Sequence, residues 1–372
     1  MTPQGLTTIE IFSMKRRIDK YENLIDAAFS EVLTSGSLVL GKQLTAFEDQ
    51  FANFIGVKHC IGVANGTDAL EFALKSLNLD PDTLVATVAN AGNYATTSIL
   101  ACGLTPLFID ITSSTQLTSL QSVHEGVAAG AKALIITHLY GMPVSEIQQI
   151  ANFCSQNSVF LIEDCAQAHG AKVGGTHVGT FGDLSTFSFY PTKNLGALGD
   201  GGMVATNNIK MASTIRSLRN YGWGNKYEIE VLGGRNSRLD EIQAAVLMKL
   251  LPFLTEENKR RGEIAHEVKK HVDNEFITFL DAGIGSVFHL FVLLTDHRTQ
   301  LQNHLSELGI QTGIHYPIND SRQIGRETTL MCNNLSNSYR TTDKILTIPM
   351  HPYLTTDEIL RITESLNSFI PR

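Results

Sequence analysis

Three short stretches of the chain carry side chains whose types and spacing could do chemistry together. The first is Gly66-Thr67-Asp68-Ala69-Leu70, directly after the apolar run Cys60–Ala64. A strand, a glycine turn and a helix in succession leave backbone N–H groups unpaired at a helix start, where they and the helix dipole favour a phosphate. The same pattern also suits Thr67 or Asp68 as an ordinary helix cap. The second stretch is Leu161-Ile162-Glu163-Asp164-Cys165-Ala166-Gln167-Ala168-His169-Gly170, an apolar strand that ends in two carboxylates. Ligands of an open α/β sheet sit outside the carboxyl ends of its strands, so Asp164 can pair there with a cationic ring nitrogen. A turn-forming aspartate would have the same surroundings. The third runs from Phe187-Ser188-Phe189-Tyr190-Pro191-Thr192 into Lys193-Asn194-Leu195-Gly196, with Asp200-Gly201-Gly202 after it. A lysine among glycines and small residues can approach an aldehyde, and burial would lower its pKa so that the neutral amine needed for imine formation is populated. By itself Lys193 reads as an ordinary surface lysine.

In this order on one frame, a phosphate cradle, a strand-end acid and a lysine match what pyridoxal phosphate requires. The phosphate anchors the cofactor, the carboxylate keeps the pyridine nitrogen protonated, and the lysine holds the aldehyde as a Schiff base. A lysine displaced by a substrate amine is then placed to move a proton in a 1,3-shift.

The elements that must position these groups are legible as alternation. Short apolar runs at Cys60–Ala64, Leu84–Val88, Pro106–Ile111, Ala133–Thr137, Val159–Ile162, Leu184–Phe189 and Met203–Thr206 alternate with helical patterns such as Asp68–Leu77 and Ser145–Gln156. That pattern predicts a mostly parallel seven-stranded sheet flanked by helices on both faces, an α/β fold. Helical spacing also marks Tyr21 to Val32, stopped by Gly36, and Leu44 to Phe54. From Leu239 to about Val272 a long helical pattern is interrupted by Pro252, which should end or kink it. Beyond it, a strand-like run at Val287–Leu294, a helix near Gln300–Leu308, an extended piece at Ile310–His315 and a helix after Thr356 predict a smaller α+β domain. The expected division is residues 1–250 and 251–372.

Composition narrows the function classes. The chain has 372 residues, 29 Lys plus Arg against 37 Asp plus Glu, and a net charge of −8, which disfavours a nucleic-acid ligand. Apolar residues make up 43%, too many for intrinsic disorder. Cys60, Cys102, Cys154, Cys165 and Cys332 are odd in number, widely spaced and without a CxxC pair, so neither a disulfide framework nor a metal site is expected. No apolar stretch is long enough to span a membrane, and Met1–Lys15 lacks a signal-peptide core, so a cytoplasmic protein is expected. Only 18% of residues are charged, which hints at a broad face buried against a second chain.

The whole chain resembles the DegT/DnrJ/EryC1/StrS family of sugar aminotransferases, which are fold-type I pyridoxal-phosphate enzymes. The resemblance rests on Asn65-Gly66-Thr67-Asp68-Ala69-Leu70, Glu163–Gly170, Phe187–Gly196 and Asn236-Ser237-Arg238-Leu239-Asp240-Glu241-Ile242-Gln243-Ala244-Ala245, four motifs in the family's order. It implies Lys193 as the Schiff-base lysine and Asp164 as the pyridine-nitrogen partner. It implies Gly66, Thr67, Asp68 and Ser188 around the phosphate, Gln167 near the ring hydroxyl and Tyr94 stacked on the ring. Asn236 would reach the partner subunit's phosphate site, making the active site a property of a homodimer. Tyr190, His315 and Tyr316 would line the sugar pocket. From the residues alone, Tyr94 also reads as core packing and His315 as a surface or capping histidine. The stretch Val88–Tyr94 lacks the family's usual proline, and Ile318–Arg322 departs from its pattern.

The activity implied is transfer of an amino group from an amino acid, by analogy L-glutamate, to a keto group of a nucleotide-linked deoxysugar. The Phe-Tyr-Pro form around Tyr190 resembles members acting on a dTDP-3-keto-6-deoxyhexose. A 4-keto nucleotide sugar, a keto-cyclitol and a non-catalytic cofactor-binding regulator are the alternatives. Lys193 stands where a dehydratase branch has histidine. An anionic diphosphate needs local basic groups, for which Arg219, Lys226, Arg235 and Arg238 are the candidates.

Overall fold

The computed structural model of the chain describes residues 7–323, 330–332 and 334–372. Its strands are β1 (His59–Val63), β2 (Leu84–Val88), β3 (Thr105–Ile109), β4 (Ala133–Thr137), β5 (Phe160–Asp164), the small hairpin β6 (Lys172–Val173) and β7 (Thr176–His177), β8 (Leu184–Ser188) and β9 (Gly202–Thr206). After them come β10 (Thr278–Phe279), β11 (Phe291–Leu294), β12 (Leu330–Met331) and β13 (Ile345–Ile348). The main sheet runs β1-β9-β8-β5-β4-β2-β3-β12. Only β9 is antiparallel to its neighbours. The pairs β8–β5, β5–β4, β4–β2, β2–β3 and β3–β12 are parallel. Every residue of β4 is buried, as expected of a strand covered on both faces. The sheet has eight strands where seven are expected. The extra one, β12, is two residues long and pairs Leu330 and Met331 with Leu107 and Phe108.

The helices are α1 (Met14–Ser35), α2 (Lys42–Ile55), α3 (Gly66–Ser76), α4 (Tyr94–Ala101), α5 (Leu120–Ala128), α6 (Ile147–Gln156), α7 (Ile209–Leu218), α8 (Glu241–Leu250), α9 (Leu254–His271), α10 (Arg298–Glu307), α11 (Ser336–Thr342) and α12 (Thr356–Asn367). Gly36 ends α1 in the left-handed region, at φ 64°, and its N–H returns to the carbonyls of Val32 and Leu33. Tyr21, Ile25, Ala28 and Val32 of α1 share a core with Leu44, Phe47 and Phe51 of α2 and with Ala244 to Leu247 of α8. This core lies against one face of the sheet, through Phe187 and Met203. Ile61, Val85, Ile135, Ile162 and Val204 face a second core with α3 and α7.

Pro252 does break the long helical pattern. A short 3₁₀ turn, Leu251–Phe253, separates α8 from α9. The antiparallel sheet β10-β11-β13 then packs with α9, α10 and α12 in a separate core. Ile9 belongs to that core and bridges to Ile310, so the start of the chain is tied to its C-terminal part. The extended piece Ile310–His315 makes only isolated bridges at Ile310 and Gly313. No helix among the described residues is long and apolar enough to cross a membrane.

Sheet register is what assembles the site. Gly202 pairs with both Val63 and Ser188, so the carboxyl ends of β1 and β8 come level. Asp164 ends β5, the parallel neighbour of β8, with Thr186 opposite it. The turn after β1, the end of β5 and the loop after β8 therefore open on one edge.

Candidate active site

At the start of α3 the cap is Asn65, whose side chain accepts the Asp68 N–H at 2.8 Å. Neither Thr67 nor Asp68 caps this helix. Within the turn, the Gly66 and Thr67 N–H groups lie ahead of the first intrahelical bond, which is Ala69 N–H to Asn65 O. Ser188 stands against this turn so closely that a Cβ on Gly66 would lie 2.8 Å from the serine Cβ. Gly66, Thr67 and Ser188 thus make a small ring of donors. The Asp68 carboxylate faces Arg235, at 2.5 Å, and Arg235 also pairs with Glu71.

Asp164 is buried. Its Oδ1 accepts the Ala166 N–H at 3.1 Å and its Oδ2 the Thr137 hydroxyl at 3.3 Å. Burial raises its pKa above the usual carboxylate value. Opposing this, in order, are the Ala166 N–H, Lys193, His138 and the Thr137 hydroxyl. Two donors serve a group that can accept about four, so the site has room for a further cationic donor.

Lys193 lies on the loop between β8 and β9. Its ammonium makes no hydrogen bond or ion pair with any described residue. Burial pushes its pKa down to about 8, against a smaller upward pull from Asp164. His169, His289 and His315 all feel its charge, and burial lowers the pKa of each. Next to it, Asn194 is held by Asn258 Oδ1 at 2.8 Å and by the Val287 carbonyl at 3.0 Å.

Around this pair stand most of the other expected residues. Gln167 accepts the Tyr140 N–H at 2.7 Å and donates to the Tyr316 hydroxyl at 3.0 Å. Tyr316 meets Tyr94 edge-on, with ring centroids 6.1 Å apart. It also crowds Gly92, where any Cβ would overlap its ring. Tyr94 and Tyr190 are both about half exposed, at 51% and 52%, so neither ring is core packing. His315 Nδ1 bonds the Thr347 hydroxyl at 2.9 Å and its carbonyl accepts from the Tyr140 hydroxyl, so it is neither a loose surface group nor a helix cap. Asn236 is apart from these. It is exposed and bridges Asn220, while its neighbour Ser237 accepts the Ala64 N–H at 3.1 Å.

Of the four basic candidates, Arg219 is engaged by Glu48 and Arg235 by Asp68 and Glu71. Arg238 bonds Asn220 at 3.2 Å, and Lys226 lies over the Tyr227 ring; neither forms an ion pair among the described residues. His138, Glu163 and Cys165 lie close enough together to bind a metal ion. The protein itself engages the first two. His138 Nδ1 accepts the Val144 N–H, its Nε2 bonds Glu163, and Glu163 also accepts from Gly179, Phe181 and Gly182.

Residues 19–367 match the DegT/DnrJ/EryC1/StrS aminotransferase family. The chain belongs to this family. It is 37% identical, over 94% of this chain and 96% of the relative, to the dTDP-3-amino-3,6-dideoxy-α-D-galactopyranose transaminase of Aneurinibacillus thermoaerophilus. It is 33% identical, over 96% of each chain, to the UDP-N-acetyl-3-dehydro-α-D-glucosamine 3-aminotransferase of Acidithiobacillus ferrooxidans. The crystal structure of S. venezuelae DesV with a ketimine intermediate superposes with a TM-score of 0.92, at 32% identity, covering 97% of this chain and 98% of that one.

As a family aminotransferase of fold type I, the protein uses pyridoxal phosphate. Its own residues fit that group. The Gly66 and Thr67 amides with Ser188 suit a phosphate, the under-donated Asp164 suits a protonated ring nitrogen, and the unpartnered Lys193 amine suits an aldehyde. Sequence reasoning missed Asn65 as the cap, Thr137 as the second support of Asp164, and Asn194 with Asn258. Asn65 was open to discovery, since asparagine caps as well as aspartate or serine. The others depend on contacts between distant segments.

Proposed function

We propose that the protein transfers an amino group from L-glutamate to the keto carbon of a dTDP-3-keto-6-deoxyhexose. The observation that carries the site assignment is the convergence of Lys193 and Asp164 on the sheet edge that also holds the Gly66 turn. When bound, pyridoxal phosphate supplies an electron sink and a carbonyl that exchanges with an amine. Gly66, Thr67 and Ser188 hold its phosphate, and Asp68 serves by fixing Arg235 beside the turn. Asp164 Oδ keeps the proton on the ring nitrogen. Lys193 Nζ would hold the cofactor through its aldehyde and, as the nearby free amine, would be the group that moves a proton at the reacting carbons. Tyr94 would cover one face of the cofactor ring and Gln167 would meet its hydroxyl, with Tyr190, His315 and Tyr316 the residues that would line the space for the sugar. The acceptor assignment draws support from the 3-amino-sugar transaminases among the relatives.

The test is a panel of 3-keto and 4-keto nucleotide sugars, on dTDP and UDP, offered with glutamate. Product formation only on the 3-keto arm is expected, with the amine position read by NMR. Product only on the 4-keto arm or from a keto-cyclitol would replace the acceptor assignment. A protein that never loses its cofactor aldehyde absorbance with any amino donor would be a non-catalytic relative.

We also propose a cytoplasmic homodimer with shared active sites, residues 1–250 of each subunit holding the cofactor and residues 251–372 forming a second domain. Five unpaired thiols suit a reducing compartment. Leu33, Leu38, Ile229 and Leu232 are exposed apolar side chains, and Leu232 lies four residues before the exposed Asn236 in sequence. Mixing inactive Lys193→Ala subunits with Asn236→Ala subunits should restore activity, up to about a quarter of normal, because each mixed two-fold dimer keeps one intact site. No recovery in verified mixed dimers would place Asn236 in its own subunit's site.

A further inference from the structure

The loop that carries Lys193 is held from an unexpected direction. Arg17, on the first helix, is buried, at 8% exposure. Its Nη1 donates to the Pro191 carbonyl at 3.0 Å and its Nη2 donates to the Gly196 carbonyl. Those carbonyls flank Lys193, two residues before it and three after. Buried arginines are ordinarily paired with a carboxylate. Arg17 forms no ion pair among the described residues; Glu257, which lies near it, is bonded by the hydroxyls of Tyr21 and Tyr353. Among the described residues, both hydrogen bonds of its guanidinium thus go to this loop.

The fit is close on the other side too. A Cβ on Gly196 would lie 2.5 Å from the Pro191 oxygen and 2.7 Å from Arg17 Nη1. Between the two clamped carbonyls, the Asn194 side chain fixes the loop to Asn258 and Val287. The loop is thus held on both sides of Lys193, whose own amine makes no hydrogen bond or ion pair among the described residues. A guanidinium is a rigid planar fork whose donors keep a fixed separation, which an ammonium cannot reproduce.

We propose that Arg17 is a positioning residue for the cofactor lysine: its fork sets the span from Pro191 to Gly196 and so the placement of Lys193 Nζ against the cofactor aldehyde. Reaction geometry is sensitive at this scale, since a displacement of about 1 Å can slow a reaction about a hundredfold. The inference rests on Lys193 being the residue that joins the cofactor. The joining step is condensation of the Lys193 amine with the aldehyde, forming a carbon–nitrogen double bond and releasing one water.

The experiment mixes cofactor-free protein with increasing pyridoxal phosphate. It follows covalent capture by absorbance, with borohydride trapping and peptide mass spectrometry to locate the adduct. Arg17→Met should lower the capture rate at saturating cofactor at least about tenfold, while the half-saturating concentration stays within about twofold, because the phosphate cradle is untouched. Arg17→Lys should fall between it and the unaltered protein. Gly196→Ala, which pushes on the clamp from the loop side, should repeat the defect and serves if Arg17→Met fails to fold. Arg16→Met removes the neighbouring ion pair to Glu358 and should lower thermal stability while leaving capture unchanged. Unchanged capture in the Arg17 variants would overturn the inference. So would parallel losses in both constants, or an equal loss in Arg16→Met, because docking of the helix rather than the clamp would then be responsible. A Lys193→Ala protein that still forms the borohydride-trapped adduct at a normal rate would instead sink the assignment of Lys193.

Discussion

Lys193→Ala is expected to abolish covalent capture of pyridoxal phosphate and to lower amino transfer at least about a thousandfold, the scale of losing a positioned acid–base group. The physical basis is the state of the amine. Burial lowers its pKa to about 8 and Asp164 only partly opposes that. At pH 7.5 about a quarter of such an amine is neutral, against about one part in a thousand for an ordinary lysine. Only the neutral form attacks an aldehyde. The sign of the pH dependence follows: capture should rise about tenfold per pH unit from pH 6 towards 7.5 and level off above about 8. Absorbance of the lysine-bound cofactor, its bleaching by glutamate and a coupled assay of the amino-sugar product read all three effects. A capture profile that keeps rising to pH 10 would mean the amine sits in water, and near-normal turnover by the Ala variant would remove Lys193 from the mechanism.

Residues that act through the local chain were legible, and those that act across it were not. The apolar runs placed every long strand of the main sheet within about two residues, because strands covered on both faces are rich in apolar residues even where, as in β8, polar ones intervene. β12 escaped because two residues carry no period. Asp164 and Ser188 end their strands and Gly66 and Thr67 follow β1 closely, so sheet register brings them level, and Lys193 follows on the loop after β8. Arg17 offers no signal, since its partners are main-chain carbonyls 174 and 179 residues away. For the same reason the basic candidates could not be told apart in sequence. Arg219 and Arg235 are committed to acids 171 and 167 residues away, while Arg238 and Lys226 form no ion pair among the described residues. The long-range placement of His315, Tyr316 and Gly92 likewise depends on how the C-terminal segment returns over the sheet edge.

Asp164→Asn separates holding the cofactor from using it. The amide keeps the shape of the carboxylate: its one oxygen can still accept from the Ala166 N–H, and its NH2, in the place of Oδ2, can donate to the Thr137 hydroxyl oxygen. It has no charge with which to keep a proton on the pyridine nitrogen. Burial already holds the Asp164 carboxyl above its usual pKa, and the Ala166 N–H, Lys193, His138 and the Thr137 hydroxyl favour its ionised form. A ring N–H⁺ brought against it supplies a counter-charge in a place shielded from water, where charge pairs act most strongly. Capture by Lys193 should therefore survive in Asp164→Asn within about tenfold, since imine formation does not draw on ring protonation, while glutamate-driven bleaching should slow about a thousandfold, as when a preorganised electrostatic partner is removed. Asp164→Glu keeps the charge but adds a methylene at a buried strand end, so it should recover part of the bleaching rate at some loss of stability. Stopped-flow bleaching at saturating glutamate measures the first effect and thermal unfolding the second. Bleaching at the unaltered rate in Asp164→Asn would show that the ring nitrogen needs no carboxylate here and would remove Asp164 from that role.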